Sequence, residues 1–269
     1  YIEFSPDGAL WDSVYFDDFD NIYTNFWVDT TDWTYDWTAP DSVVCSECNM
    51  RVTVYDTVGL YAFDINNFSI EDTIVPEAAN IGFQDTDSNP ITEILEYTDL
   101  TVTWDATDNI GVSSVEILYS ADNATYSSVY TETYDTPLIS ESYLGTFSIP
   151  EHIYSSGDIG NIQVIVSDEA GNESLALNGS IQVLDNTVPL TDMVSPTTTD
   201  TINTGEEFIL SYLGSDNTAL DSLYIEFSPD GSLWDSVYFD DFDDINTNFW
   251  THTQNWTYDW TAPDSVVCS

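Results

Sequence analysis

The chain has 269 residues with one Arg, no Lys, two His and 49 Asp or Glu, a formal net charge of −48. That balance offers no basic surface for phosphate contacts and excludes nucleic acid as a partner. It is not an acidic disordered tail either: 42% of residues are hydrophobic, with 9 Trp, 17 Tyr and 13 Phe, enough to fill cores beneath a self-repelling surface that bound cations or salt would relieve.

The chain opens on YIEFSPDGALWDSVYFDDFD, a strand–turn–strand pattern. Pro6 presets φ at the second turn position and Asp7-Gly8 tolerate the turn that follows. Ile2 and Phe4 before the turn, with Leu10 and Val14 after it, are expected to face a core. The rival reading, an Asp-box hairpin of sialidase-type propellers, fails on an Asp–Gly spacing one residue short. The same stretch returns at Tyr224. Tyr1 to Ser46 matches Tyr224 to Ser269 at a constant offset of 223, and only seven of the 46 pairs differ, leaving 39 identical. The chain therefore reads as one 223-residue unit plus the start of the next, a window on a longer tandem array cut in mid-domain at both ends.

Further along, period-two alternation dominates. Leu100, Val102, Trp104 and Ala106 point one way, and Val115-Ile117-Tyr119, Ile162-Val164-Val166 and Ile181-Val183 repeat the pattern between Gly, Pro, Asn and Asp. Nothing sustains a helical period, and no apolar run is long enough to cross a bilayer. Short strands at this spacing predict an all-β fold of sandwiches. A weaker repeat lies inside the first: VEILYSADNATYSSVY from Val115 aligns with LYIEFSPDGSLWDSVY from Leu223 at an offset of 108, which also brings Trp104 onto Tyr212 and Asp108-Asn109 onto Asp216-Asn217. VIVSDEAG from Val164 likewise parallels VTVYDTVG from Val52. Two Asp…Pro linkers then divide the chain: 1–72 is the C-terminal part of one domain, 73–185 a complete domain of a second type, and 186–269 the N-terminal part of the next copy of the first type.

ATDNIGVSSVEILYSADNATY, VIVSDEAGN and VLDNTVP resemble bacterial tandem immunoglobulin-like, cadherin-like repeats of large surface adhesins and extracellular fibres. SDNTALDSLYIEFSPDGSLW and WTAPDSVVCSECNMRVTVYDTVG are similar to the same family, so the resemblance covers nearly the whole chain. It implies immunoglobulin-like sandwiches arranged head to tail, an extracellular or cell-surface location, and neighbouring copies of the repeat as partners. Lateral filament contacts would be compatible with it.

In such a sandwich the entering linker and two loops meet at one end. That places Asp72, Asp108, Asn109, Asp168 and Asn172 together, where converging acidic groups call for a hard cation with oxygen ligands, calcium. In the family, interdomain calcium stiffens the junction between modules. The second domain type offers Asp185, Asp216, Asn217 and, from the preceding copy, Asp56, with a poorer loop, DTVG against DEAGN. The bland alternative is that these Asp residues only cap turns.

Cys45 and Cys48 form a C-x-x-C in strand context, without the helix N-terminus of a redox motif or a second pair for zinc, so a local disulfide is expected. Cys268 is the repeat-equivalent of Cys45. Trp33, Tyr35 and Trp37, repeated as Trp256, Tyr258 and Trp260, share one strand face; they fill a core or an interface, or else stack on glycans or another cell surface. Carboxylate pairs are too common here to signal a glycosidase. His152 and His252 are isolated, and no phosphate loop or nucleophile elbow occurs, so no catalytic residues are expected and the chain is read as no enzyme. The lack of Lys excludes Lys–Asn isopeptide crosslinks, and trypsin has one site, after Arg51. N-x-S/T triplets occur at Asn67, Asn123, Asn172, Asn178 and Asn255. The first reading is a structural repeat of an extracellular fibre or adhesin stalk; the second is a glycan- or protein-binding module. Strand exchange between separate chains is a variant in which the 46 repeated residues look redundant, so a continuous polypeptide is the simpler expectation.

Overall fold

The computed structural model describes residues 1–17, 34–152, 157–218, 220–241 and 254–264, side chains of 254 and 255 excepted. Among the described residues the elements are all strands, grouped into three successive units. Among the described residues no ladder joins one unit to the next, and no helix is long and apolar enough to cross a membrane.

The first unit holds β1 (Ile2–Ser5), β2 (Asp12–Tyr15), β3 (Cys45–Tyr55) and β4 (Tyr61–Ile70), in the sheet order β2-β1-β3-β4. The first turn forms as its residues dictate. Gly8 takes φ +74°, the Ser5 hydroxyl accepts from Gly8 N at 2.9 Å, and Asp7 Oδ1 accepts from Ala9 N at 2.8 Å. Phe4 is buried on the inner face, but Leu10 is 78% exposed. The expectation of an inward Leu10 fails because it belongs to the turn rather than the returning strand, which starts only at Asp12. The chain's one Arg pins this hairpin to β3: Arg51 reaches Glu3 at 2.8 Å and lies 4.3 Å from the Trp11 ring centroid.

The middle unit is a sandwich. Its strands are β5 (Glu77–Gln84), β6 (Glu93–Leu95), β7 (Asp99–Ser120), β8 (Ser127–Ser148), β9 (Ile159–Asp168) and β10 (Leu177–Leu184). The 22-residue β7 breaks register between Thr107 and Val112. Its first half pairs with β5 and the end of β8, and its second half with β9 and the start of β8. One strand thereby serves both layers. The corner needs Gly111, whose φ is +134° and whose added Cβ would lie 2.7 Å from Pro137. Alternation supplies the core between the layers: Leu100, Val102, Trp104 and Ala106 from one side meet Val115, Ile117, Ile162, Val164 and Val166 from the other. Short β6 lies parallel to the end of β10, Ile94 opposite Val183.

The third unit has β11 (Leu190–Ser195), β12 (Glu207–Ser215) and β15 (Gln254–Thr261) in one sheet, and β13 (Leu223–Phe227) with β14 (Asp235–Asp240) as a separate hairpin. A small core of Leu210, Tyr212 and Ile225 lies between them. The repeated sequence keeps its local packing: Phe4–Trp37 and Phe227–Trp260 ring centroids are 5.0 and 5.1 Å apart, and Tyr15–Tyr35 and Tyr238–Tyr258 are both 4.6 Å apart. Secondary structure differs. In the second copy WTYDW lies in β15, paired with β12; residues 34–40 of the first copy carry no strand.

Candidate cation centres at the junctions

The end of the middle unit that faces the first gathers three carboxylates. Asp72 comes from the linker after β4, Asp108 from the break in β7 and Asp168 from the last position of β9. One carboxylate oxygen of each lies within 4.8 Å of the others. At that separation each ionised pair repels by roughly 3 kcal/mol at an effective dielectric near 20. Asp108 and Asp168 are only 7% and 3% exposed, so water relieves little of this.

The hydrogen bonds fix the oxygens without satisfying them. Asp108 Oδ2 accepts from Ile110 N at 2.9 Å and Gly111 N at 2.7 Å. Asp168 is held by Asn172, whose N donates to Oδ1 at 2.8 Å and whose Nδ2 donates to Oδ2 at 2.7 Å. Asn172 Nδ2 also reaches the Asp72 carbonyl at 3.2 Å. Asn109 donates from Nδ2 to Asp72 Oδ1 at 3.1 Å and to the Asp41 carbonyl at 2.6 Å, tying the two units together. Three buried oxygens remain without a donor: Asp72 Oδ2, Asp108 Oδ1 and Asn109 Oδ1. Buried acceptors without donors cost about 1–3 kcal/mol each. An all-oxygen set, rich in carboxylate and without thiolate or imidazole, fits a hard divalent cation of the calcium type. All five residues expected at this junction are thus brought together.

The second junction repeats the motif with different supports. Asp216 Oδ1 accepts from Thr218 N at 2.9 Å and Thr218 Oγ1 at 2.6 Å, while Asp216 Oδ2 and Asn217 Oδ1 are buried without donors. Asp185 Oδ2 accepts from Thr218 Oγ1 at 2.8 Å. The residue that the sequence reading missed is Glu96, fully buried in the middle unit. Its Oε1 accepts from Asn217 Nδ2 at 2.9 Å and from the Thr187 hydroxyl, and its Oε2 from His152 N at 3.1 Å. The pairing of β6 beside β10 delivers Glu96 to this place, next to the exit toward Asp185. Asp56 belongs to the preceding copy of that domain type. It caps its own turn, accepting from Val58 N at 2.9 Å and Leu60 N at 2.8 Å, and is not among the clustered carboxylates. Among the described residues the tight three-carboxylate group occurs at the first junction alone.

Cys45 and Cys48 are joined by a disulfide, with Cα atoms 5.5 Å apart. The aromatic strands turn largely inward: Trp37 packs on Phe4 and Phe68, and Trp256, Tyr258 and Trp260 lie against the third unit's core. Tyr35 is 44% exposed and touches Tyr15; Trp33 lies outside the described residues. Sequence reasoning missed a different set of rings. Phe16, Tyr1, Tyr55 and Tyr61 are all exposed and form a continuous run with successive centroids 4.5, 5.6 and 5.6 Å apart. They come from four separate stretches of chain, so no local pattern announces them.

No protein-family model and no curated protein matches the chain. Among solved structures it is similar to the fibronectin(III)-like modules of Clostridium thermocellum CbhA, at 16% identity and TM-score 0.30, over 68% of this chain and 77% of that one. It is also similar to a Ca2+-stabilised adhesin that helps an Antarctic bacterium reach out and bind ice, at 16% identity and TM-score 0.26, over 82% of this chain. The chain spans 49% of that adhesin's length. Likenesses this slight carry no argument about a role.

Proposed function

We propose that the chain is a non-catalytic structural repeat of an extracellular fibre or adhesin stalk, in which calcium stiffens the junctions between sandwiches. The observation that carries this reading is the trio of donorless buried oxygens on Asp72, Asp108 and Asn109, contributed by the linker and the corner of the following unit. A cation held there would tie Asp72 to the body of the middle unit and fix how the linker leaves β4. Asn109, bonded to the Asp41 carbonyl, would carry that order back into the first unit. The tandem sequence and the high acidity support a surface or extracellular location, and the resemblance to surface repeats points the same way. Isothermal titration with CaCl2, paired with melting in calcium and in EDTA, tests the reading: it requires binding and a higher melting temperature in calcium, and unchanged melting removes calcium from the account.

A second reading, a module that holds a glycan or partner surface, draws on the exposed run Phe16–Tyr1–Tyr55–Tyr61 rather than on the WTYDW rings. Glycan-array binding that is lost on Tyr55→Ala and Tyr61→Ala would favour it.

A further inference from the structure

The first junction depends on a backbone oxygen. Asn109 Nδ2 donates to the Asp41 carbonyl at 2.6 Å and to Asp72 Oδ1 at 3.1 Å, so a main-chain group and a side chain of the first unit meet on one amide of the middle unit. The corresponding amide of the second junction, Asn217 Nδ2, donates instead to a side chain, Glu96. A carboxylate has rotamers with which to reach its donor, whereas a carbonyl goes only where its loop holds it. Asp41 sits in the turn before β3, where Val43 N donates to the Pro40 carbonyl at 3.2 Å.

Both contributions of the first unit converge on the Cys45–Cys48 disulfide. Asp41 precedes Cys45 by four residues, and Asp72 lies two beyond Ile70, the partner of Cys45 in the β3–β4 ladder. The ladder is irregular at that place. Cys45 faces Ile70 and Cys48 faces Phe68, so β3 carries one residue more than β4 over the same step. A bulge leaves its extra residue without a ladder partner and disrupts the pairing around it. The disulfide spans this bulge, with Cα atoms 5.5 Å apart and Cys48 fully buried. A crosslink over so few positions constrains the unfolded chain less than a long one does, which leaves its local effect as the prominent one. In the middle unit, the alignment of VTVYDTVG with VIVSDEAG puts Gly157 and Gly160 where the first unit has Cys45 and Cys48. The crosslink thus precedes the junction that uses a carbonyl and not the one that uses Glu96.

We propose that the Cys45–Cys48 disulfide is a positioning element of the first junction. By fixing the bulge it holds the Asp41 carbonyl and Asp72 at the spacing that Asn109 bridges, and so sets the affinity of the carboxylate centre for a divalent cation. A dithiol opens it by thiol–disulfide exchange: the S–S bond breaks, the two cysteines gain two electrons and two protons, and the dithiol leaves as its own disulfide. The turn is then free of the strand end, and Asn109 loses its carbonyl. The consequence for the cation rests on the calcium reading above; the consequence for Asn109 does not.

The test uses the full chain with Cys268→Ser, so that Cys45 and Cys48 are its only cysteines. The oxidised protein is compared with the same protein in dithiothreitol and with Cys45→Ala/Cys48→Ala, which needs no reductant. In EDTA, the side-chain amide protons of Asn109, followed by NMR, should exchange at least fivefold faster in both opened forms, while those of Asn217 stay unchanged. In CaCl2 titrations the Kd should weaken at least tenfold, and reoxidation should restore both values. Unchanged exchange at Asn109 overturns the proposal. Equal acceleration at Asn217 also overturns it, because the whole chain has then loosened, and so does the same calcium Kd in open and closed forms. If the oxidised chain binds no calcium, the calcium reading falls alone, and Asn109 exchange in EDTA decides this one.

Discussion

Asn217, in the third unit, donates from Nδ2 to Glu96 of the middle unit at 2.9 Å, across 121 residues of sequence. This bond makes the second junction a shared structure, because Glu96 is also anchored inside its own unit by His152 N. Substituting Glu96→Gln turns one of its two acceptor oxygens into a donor facing donors. A loss of about 1–3 kcal/mol is expected, read as a lower melting temperature and as faster amide exchange at Asn186 and Thr187. Unchanged exchange there would show that the junction does not depend on Glu96.

At the first junction the informative change is Asp72→Asn. It keeps the shape of the side chain while removing charge from the cluster. In EDTA the protein should be as stable as the parent or slightly more so, since one repulsive partner is gone. In calcium it should lose most of the ion-dependent rise, which for a ligand at a thousand times its Kd is about 4 kcal/mol. Melting curves of both proteins in both buffers check this; a full calcium response from the variant would place the ion elsewhere.

Arg51 offers a probe of local opening. Its peptide bond lies within β3, paired on both sides by β1 and β4, so trypsin should cut the native chain slowly and at one place. Arg51→Gln removes both that site and the Glu3 clamp. Because the pair is partly exposed, the stability cost should stay near 0.5–1 kcal/mol, measured by denaturant unfolding followed at Trp11.

The core makes a larger prediction. Trp104 is 1% exposed and stacks on Tyr143 with centroids 5.9 Å apart. Trp104→Ala should cost about 3–5 kcal/mol, visible as early melting of the middle unit.

Acidity has two opposed effects. General repulsion in a chain of net charge −48 eases as exposed carboxylates protonate, so stability should rise as pH falls from 7 toward ordinary carboxylate values near 4. Turn carboxylates act the other way. Asp122 is held far below its usual range by hydrogen bonds from Thr125 N and Ala124 N, and Asp7 is lowered by Ala9 N and Leu10 N. A depressed folded-state value contributes stability above the unfolded value and loses it as pH falls through the folded one. The melting temperature should therefore pass through a maximum near pH 4 and fall steeply below about pH 3, with 1 M salt flattening the rise on the neutral side.

The alternation of Leu100 to Ala106 and of Ile162 to Val166 told the sandwich plainly, since period two with one buried face has few other solutions. Asp108-Asn109 and Asp168 could also be placed, because loop positions follow from counting strands. Glu96 could not: its role depends on a three-residue strand pairing in parallel with a partner nearly ninety positions away, and nothing nearby marks it. WTYDW shows the complementary failure. Its five residues carry no sign of which neighbour they will pair with; in the second copy the partner is β12, roughly forty residues earlier in the chain.

The parallel contact of Glu93–Leu95 with Gln182–Leu184 bears on how the middle unit would behave under load. Tension entering before β5 is met first by the β5–β7 ladder; once that yields, tension leaving after β10 pulls these two segments in opposite senses along their length. Their hydrogen bonds are then strained together rather than opened one after another. A sandwich tied off in this way resists stretching by its rate of rupture, which is the property a tether needs when flow tugs at whatever it holds.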